Sequence, residues 1–220
     1  MKKAIFFDVN ETLLDLSRLK VQFARHFGDA HVLKYWFTKL LHNSSIMAAM
    51  DEYRDFGELA GAALEGVFFE NGKRLTTDIK TEILSEFRKL PAHSDVKPAL
   101  SELREHSIRL VAVSNSSKEM MQAHLTHAGS MELFDAYYSV DQVRKYKPFK
   151  EIYLFAADQE KLNPEEIIMV AAYDWDLFGA KKVGLTTAYI TRKKEIYHPF
   201  YPKADFVISE LSELLKVIER

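Results

Sequence analysis

No cysteine occurs among the 220 residues. That excludes disulfide bonds, a thiolate-bound metal and a cysteine nucleophile. It also fits a reducing compartment. No signal-peptide pattern precedes the first apolar run, so a cytoplasmic protein is expected. No apolar stretch reaches membrane-spanning length, and no membrane partner is expected. Charge of one sign is lacking too: 30 Lys and Arg against 32 Asp and Glu leave a formal net charge of −2. That balance argues against a broad nucleic-acid-binding surface. The eight His show no metal-ligand spacing. Repeats and low-complexity tracts are absent. What remains is ordinary for a globular chain, 47% hydrophobic and 28% charged. Its length suits one domain, or a core domain with a smaller insertion.

The apolar run Ala4 to Phe7 reads as a buried strand of parallel-sheet type. From Leu16 to Leu90 the periodicity is helical. Expected helices are one through Val21, Phe23 and Phe27 ending at Gly28, then Val32–Leu41, Phe56–Phe69, and Asp78–Leu90 stopped by Pro91. From Pro91 onward helices and strands alternate. Strands are expected at Arg109–Val113, Tyr137–Val140, Ile167–Ala171, Thr186–Ile190 and Phe206–Ile208, with helices at 97–106, 118–127, 150–160, 175–183 and 211–218. Alternation of this kind implies βαβ units and a parallel sheet covered on both faces. The expected fold is therefore α/β, with residues 1–15 and 91–220 as the core and the helical block 16–90 as a separate cap. Arg192 to Lys203, polar and carrying Pro199 and Pro202, reads as a surface loop.

Polar clusters close four of these strands. Asp8 follows the first directly, at the edge where open α/β sheets bind ligands. There it either caps the next turn or attacks an electrophile to form a covalent ester. Ser114-Asn115-Ser116-Ser117 follows the second strand, offering helix-capping hydroxyls and donors for an anion. Lys147, ahead of Pro148 and a helix, is placed to neutralise a carboxylate or a bound anion. Asp174 is the expected cap of the helix after Ile167–Ala171, and Asp176 is placed to face Asp8.

Asp8, Ser114, Lys147 and Asp176, in that order at successive strand ends, resemble the four motifs of the haloacid dehalogenase superfamily. Asp8–Thr12, Ser114-Asn115, Lys147-Pro148 and Trp175-Asp176 with Gly179-Ala180 carry the likeness along the whole chain. Tyr53-Arg54-Asp55-Phe56, Ser139-Val140-Asp141 and Tyr153 are similar to stretches of the L-2-haloacid dehalogenases (type II). The resemblance implies a Rossmann-like sheet flanked by helices, with a helical cap after the first strand. It further implies that Asp8 displaces halide from C2 of a small L-2-haloacid and that water then hydrolyses the aspartyl ester, with no cofactor and no metal. Thr12 and Ser114 would position nucleophile and substrate, Lys147 would pair with Asp8, and Tyr153 would organise Lys147. Asn115 and Phe56 would contact halide, and Asp176 would orient the hydrolytic water. Homodimers through the cap are common among similar proteins.

Three positions depart from that pattern. Phe37 stands where such dehalogenases place an Arg on the second cap helix, leaving Lys39, His42 or Arg54 to compensate. Ala171 and Tyr173 replace a Ser and an Asn of the water-holding network. Asn10 stands two residues after the nucleophile, where a Tyr is common. These positions weigh on a Mg²⁺-dependent phosphatase of the same superfamily as well. Asn10 cannot serve as its general acid, and Ala172 offers no metal-ligand oxygen. A non-catalytic binding protein is the third reading.

Overall fold

The computed structural model describes residues 2–218. Its strands are β1 (Ala4–Phe7), β2 (Arg109–Ser114), β3 (Ala136–Ser139), β4 (Ile167–Ala171), β5 (Thr186–Ile190) and β6 (Phe206–Ile208). They form one sheet in the order β3-β2-β1-β4-β5-β6, parallel throughout. β1 and β4 are buried along their whole length, as expected of strands covered on both faces. Phe7 pairs with Ala112 on one side and Val170 on the other. The Asp8 N–H then bonds the Val170 carbonyl at 3.0 Å, which carries the ladder one residue further and sets Asp8 at the strand end. Successive connections leave β1 to opposite sides, so Asp8 lies at the topological switch point.

Between β1 and β2 the chain forms α1 (Lys20–Phe27), α2 (Val32–Ala49), α3 (Phe56–Glu70) and α4 (Thr77–Phe87). Gly28 ends α1 in the left-handed region, φ 75°, with its N–H on the Ala24 carbonyl. Asp55 caps α3 through the N–H groups of Gly57 and Glu58, and Thr76 caps α4 through that of Ile79. Phe23, Trp36, Phe37 and Phe87 interlock with ring centroids 5.4–6.5 Å apart. The Trp36 indole N–H finds the Ala60 carbonyl at 3.0 Å, joining α2 to α3.

The remaining helices are α5 (Val96–Glu105), α6 (Lys118–His127), α7 (Lys150–Gln159), α8 (Asp174–Lys182) and α9 (Leu214–Ile218). The elements match the sequence reading with four corrections. α2 runs eight residues beyond Leu41, because the Ser44 and Ser45 hydroxyls turn back onto the Leu41 carbonyl and leave the helix intact. The last expected helix begins as a 3₁₀ turn, Leu211–Glu213. α4 ends at Phe87, three residues short of the expected Leu90, with Arg88 closing its last turn on the Leu84 and Glu86 carbonyls. Asp174 is not the cap of α8: it is the first helical residue, and its carboxylate takes the N–H groups of Trp175 and His198.

Candidate active site

Asp8 is held from two sides. Its Oδ2 accepts the Thr12 hydroxyl at 2.7 Å, and its Oδ1 accepts Lys147 Nζ at 3.1 Å. The Thr12 oxygen in turn accepts the Ala172 N–H at 2.9 Å, so the hydroxyl proton is directed at Asp8. The turn that brings Thr12 back toward Asp8 passes through Glu11 at φ 66°.

Lys147 is 1% exposed, and its three donors are all used: on Asp8, on Asp176 Oδ2 at 2.9 Å and on the Val113 carbonyl at 2.7 Å. Burial works against its charge, but the Asp176 and Asp8 carboxylates outweigh that and hold its pKa above the ordinary lysine value. Asp176 is fully buried. Burial pushes its carboxyl above the usual carboxylate range, Lys147 pulls the other way, and the like charge of Asp8 adds to the rise. Its Oδ1 accepts the Tyr153 hydroxyl at 2.5 Å. Burial, then the Asp176 charge, raises the Tyr153 phenol well above its usual value, which keeps it a donor.

The Lys147 N–H donates to Asn115 Oδ1 at 2.9 Å, fixing which end of that amide is which. Gly179 of α8 permits the approach of this loop: a Cβ there would sit 2.3 Å from the Pro148 carbonyl oxygen. Ser114 turns its hydroxyl oxygen to the Ser116 N–H at 3.0 Å, and Ser117 caps α6 through Met120. Asn10 Nδ2 donates to Ser116 Oγ at 3.1 Å, while its Oδ1 is buried without a partner.

A small pocket faces Asp8. Asn10, Asn115, Phe37, Phe56 and Tyr173, the five candidate binding residues, all line it, together with Leu41 and Trp175. Its free space is about 10 Å³, room for roughly one water. Phe37 and Tyr173 stack across it, centroids 6.3 Å apart. Phe37, Leu41, Tyr173 and Trp175 also border an open cleft of about 1550 Å³ along α2. Ser114, Lys147, Tyr153, Thr12 and Asp176 stand behind this surface as supports and do not line the pocket.

None of the three cations expected to replace the missing Arg lines the pocket. Lys39 is paired with Glu70, and Arg54 and His42 are exposed. The segment read as a surface loop is also corrected at its start. Arg192 is nearly buried, donates to the Thr12 carbonyl at 3.0 Å and grips Asp95 with bonds of 2.8 and 2.9 Å. Lys193 pairs with Glu11 and lies 5.1 Å from the Tyr173 ring centre. Both cations follow β5, far in sequence from Asp8, so no local pattern marked them. Leu41 was hidden among residues of ordinary core type, and Trp175 stood in the Trp175-Asp176 motif with no role of its own assigned.

Residues 2–184 match the model of the haloacid dehalogenase-like hydrolases. The chain is 30% identical to (S)-2-haloacid dehalogenase 1 of Pseudomonas sp. (strain CBS-3), over 99% of this chain and 97% of that protein. It is 29% identical to (S)-2-haloacid dehalogenase 4A of Burkholderia cepacia, over 99% and 95%. A dehalogenase solved with an intermediate complex superposes with a TM-score of 0.92 at 29% identity, covering 98% of this chain and 96% of that one. Fold and full-length similarity agree, and the chain belongs to the haloacid dehalogenase-like hydrolase family.

Proposed function

We propose that this protein hydrolyses the carbon–halogen bond of small L-2-haloacids by two displacements at Asp8. The observation that carries the reading is a carboxylate at the mouth of an apolar pocket, oriented by Thr12 and Lys147. An Asp8 oxygen forms a bond to C2 as the halide leaves with its electron pair. Water then adds to Asp8 Cγ, the Cγ–O bond breaks, the alkoxide takes a water proton, and the 2-hydroxy acid leaves carrying the Asp8 oxygen on C2. Holding nucleophile and electrophile in line is worth up to about 7–11 kcal/mol of barrier. Asn115 Nδ2 is the donor available to the departing halide, and Phe56 packs beside it. Asp176 acts on water only through rearrangement of its bonds to Lys147 and Tyr153.

The reading also assigns no metal, because Lys147 supplies the positive charge beside Asp8. Asn10 has no acid proton and Ala172 no ligand oxygen, which disfavours the phosphatase alternative. Residues 16–90 would act as a cap over the core 1–15 and 91–220, and the protein would work in the cytoplasm, as a homodimer. The dimer is tested by sedimentation. The chemistry is tested by halide release from L-2-chloropropionate in EDTA, and by single turnover in H₂¹⁸O. Label should enter Asp8. Halide release that demands Mg²⁺, or an unlabelled Asp8, overturns the mechanism.

A further inference from the structure

Among the described residues, Asp8 is the one charged group lining the pocket. A haloacid held with C2 at Asp8 carries its own carboxylate one bond away. Two anions so close need a cation beside them. Lys147 has no donor left for the second one, since all three are used on Asp8, Asp176 and the Val113 carbonyl. α2 contributes Phe37 and Leu41 to the pocket, and both are uncharged. The compensating charge therefore has to come from the cleft.

Tyr173 is one of four side chains that border both the pocket and the cleft. Its ring stacks on Phe37. Burial first, and then the Asp8 charge, raise its phenol above the ordinary tyrosine value, which keeps it a donor. Its oxygen accepts Lys193 Nζ at 3.3 Å, while its own hydrogen goes to no acceptor among the described residues. Lys193 lines the cleft, with Nζ 5.1 Å from the Tyr173 ring centre. An ammonium has three donors. Lys193 turns one to Tyr173 and one to Glu11, and one is left. Arg192, also on the cleft, adds a fixed positive charge whose Nη2 is buried without a partner. This edge of the cleft thus has donors to spare, and two of them meet at Tyr173.

We propose that Lys193 and the Tyr173 hydroxyl receive the carboxylate of the 2-haloacid, one donor to each oxygen. The proposal rests on the haloacid reading of Asp8. It makes Lys193, which follows β5, the residue that selects an acid over an uncharged compound of the same shape. Glu11 is the resident anion with which the substrate shares that ammonium.

The test is steady-state halide release from L-2-chloropropionate, with L-lactate and L-lactamide as competing ligands. Lys193→Met keeps the stem and removes the charge. It should raise KM, and the inhibition constant of L-lactate, by about tenfold or more, with a smaller change in kcat. L-Lactamide should weaken by under about threefold. Lys193→Arg should bring KM back to within about threefold of the unsubstituted protein. Glu11→Gln keeps an acceptor for the Leu16 N–H, removes the rival charge and should lower KM. An unchanged KM in Lys193→Met overturns the proposal and leaves the Asp8 assignment standing. Equal weakening of lactate and lactamide overturns it too, since the charge is then not what Lys193 reads. A KM raised by Glu11→Gln does the same, because Lys193 then acts through Glu11. If the unsubstituted protein releases no halide, the Asp8 assignment fails, and calorimetric titration with L-lactate decides the subsite. Absent binding, or equal binding with and without Lys193→Met, then overturns the subsite as well.

Discussion

Asp8 sits between one neutral and one charged donor, and the two contribute differently. Thr12 fixes the rotamer through a hydroxyl whose own oxygen is held by Ala172. Its removal leaves the charge balance intact, so Thr12→Ala should lower kcat/KM roughly 10- to 100-fold, the worth of one hydrogen bond to a charged group. Asp8→Asn removes the nucleophile and should lower halide release by about 10⁴-fold or more while the fold survives by circular dichroism. Asp176 sets the acid limit. Because burial raises its carboxyl, it becomes protonated at a higher pH than an exposed Asp, and Lys147 then loses one of its two anionic partners. Activity should therefore fall with decreasing pH, with a midpoint above the ordinary aspartate value of 3.8. The Tyr153 hydrogen bond opposes that rise, so Tyr153→Phe should move the acid limb to still higher pH. A limb that stays in place, measured as kcat/KM against pH, contradicts this assignment.

Between elements, the tightest constraint lies where α8 crosses the loop before α7. Gly179 lets the Pro148 backbone approach, and Lys147 precedes Pro148 directly. Gly179→Ala forces that loop aside and should cost about 1–3 kcal/mol in stability, with a larger loss in kcat than in KM. Calorimetry and steady-state kinetics check both parts. His124 joins α6 to α4: its Nε2–H donates to the Phe87 carbonyl at 2.7 Å, and its Nδ1 is buried without a partner. Burial lowers its pKa to about 4. The unfolded chain therefore takes up a proton near the ordinary histidine value of 6.5 before the folded one does, so stability falls as pH drops from 6.5 toward 4. The decline is up to about 3 kcal/mol. His124→Gln should flatten the dependence of Tm on pH over that window.

For the whole molecule, access is the governing problem. The pocket at Asp8 has room for about one water, and four of its walls separate it from a large cleft. Substrate entry thus requires Phe37 and Tyr173 to unstack, one ring from α2 and the other from the N-terminus of α8. Two further bonds tie the helical insertion to the core, Tyr53 to Asp141 and Tyr146 to the Arg54 carbonyl. Tyr53→Phe releases the first, and should speed backbone hydrogen exchange at the start of α3 while raising KM by about threefold or more. Unchanged exchange there means that the Tyr53–Asp141 bond does not hold the start of α3.

Much of this was legible in the chain itself. Hydrophobic runs separated by helical periodicity specify a parallel sheet, because a strand buried on both faces has no other way to read. Asp8, Ser114 and Asp176 could be found because each stands at or just beyond the end of such a run, and Lys147 because it precedes Pro148 and a helix. The supporting bonds could not. Whether Ser44 breaks α2 or folds into it depends on a carbonyl within reach. Arg192, 180 residues from Thr12, is a surface residue by composition and a clamp by position. Sequence order determined which residues stand at the sheet edge, since strand ends are local. Tertiary structure alone decided which faced the pocket and which stood behind it, and which amide atoms kept a partner, because those depend on contacts between segments that periodicity does not encode.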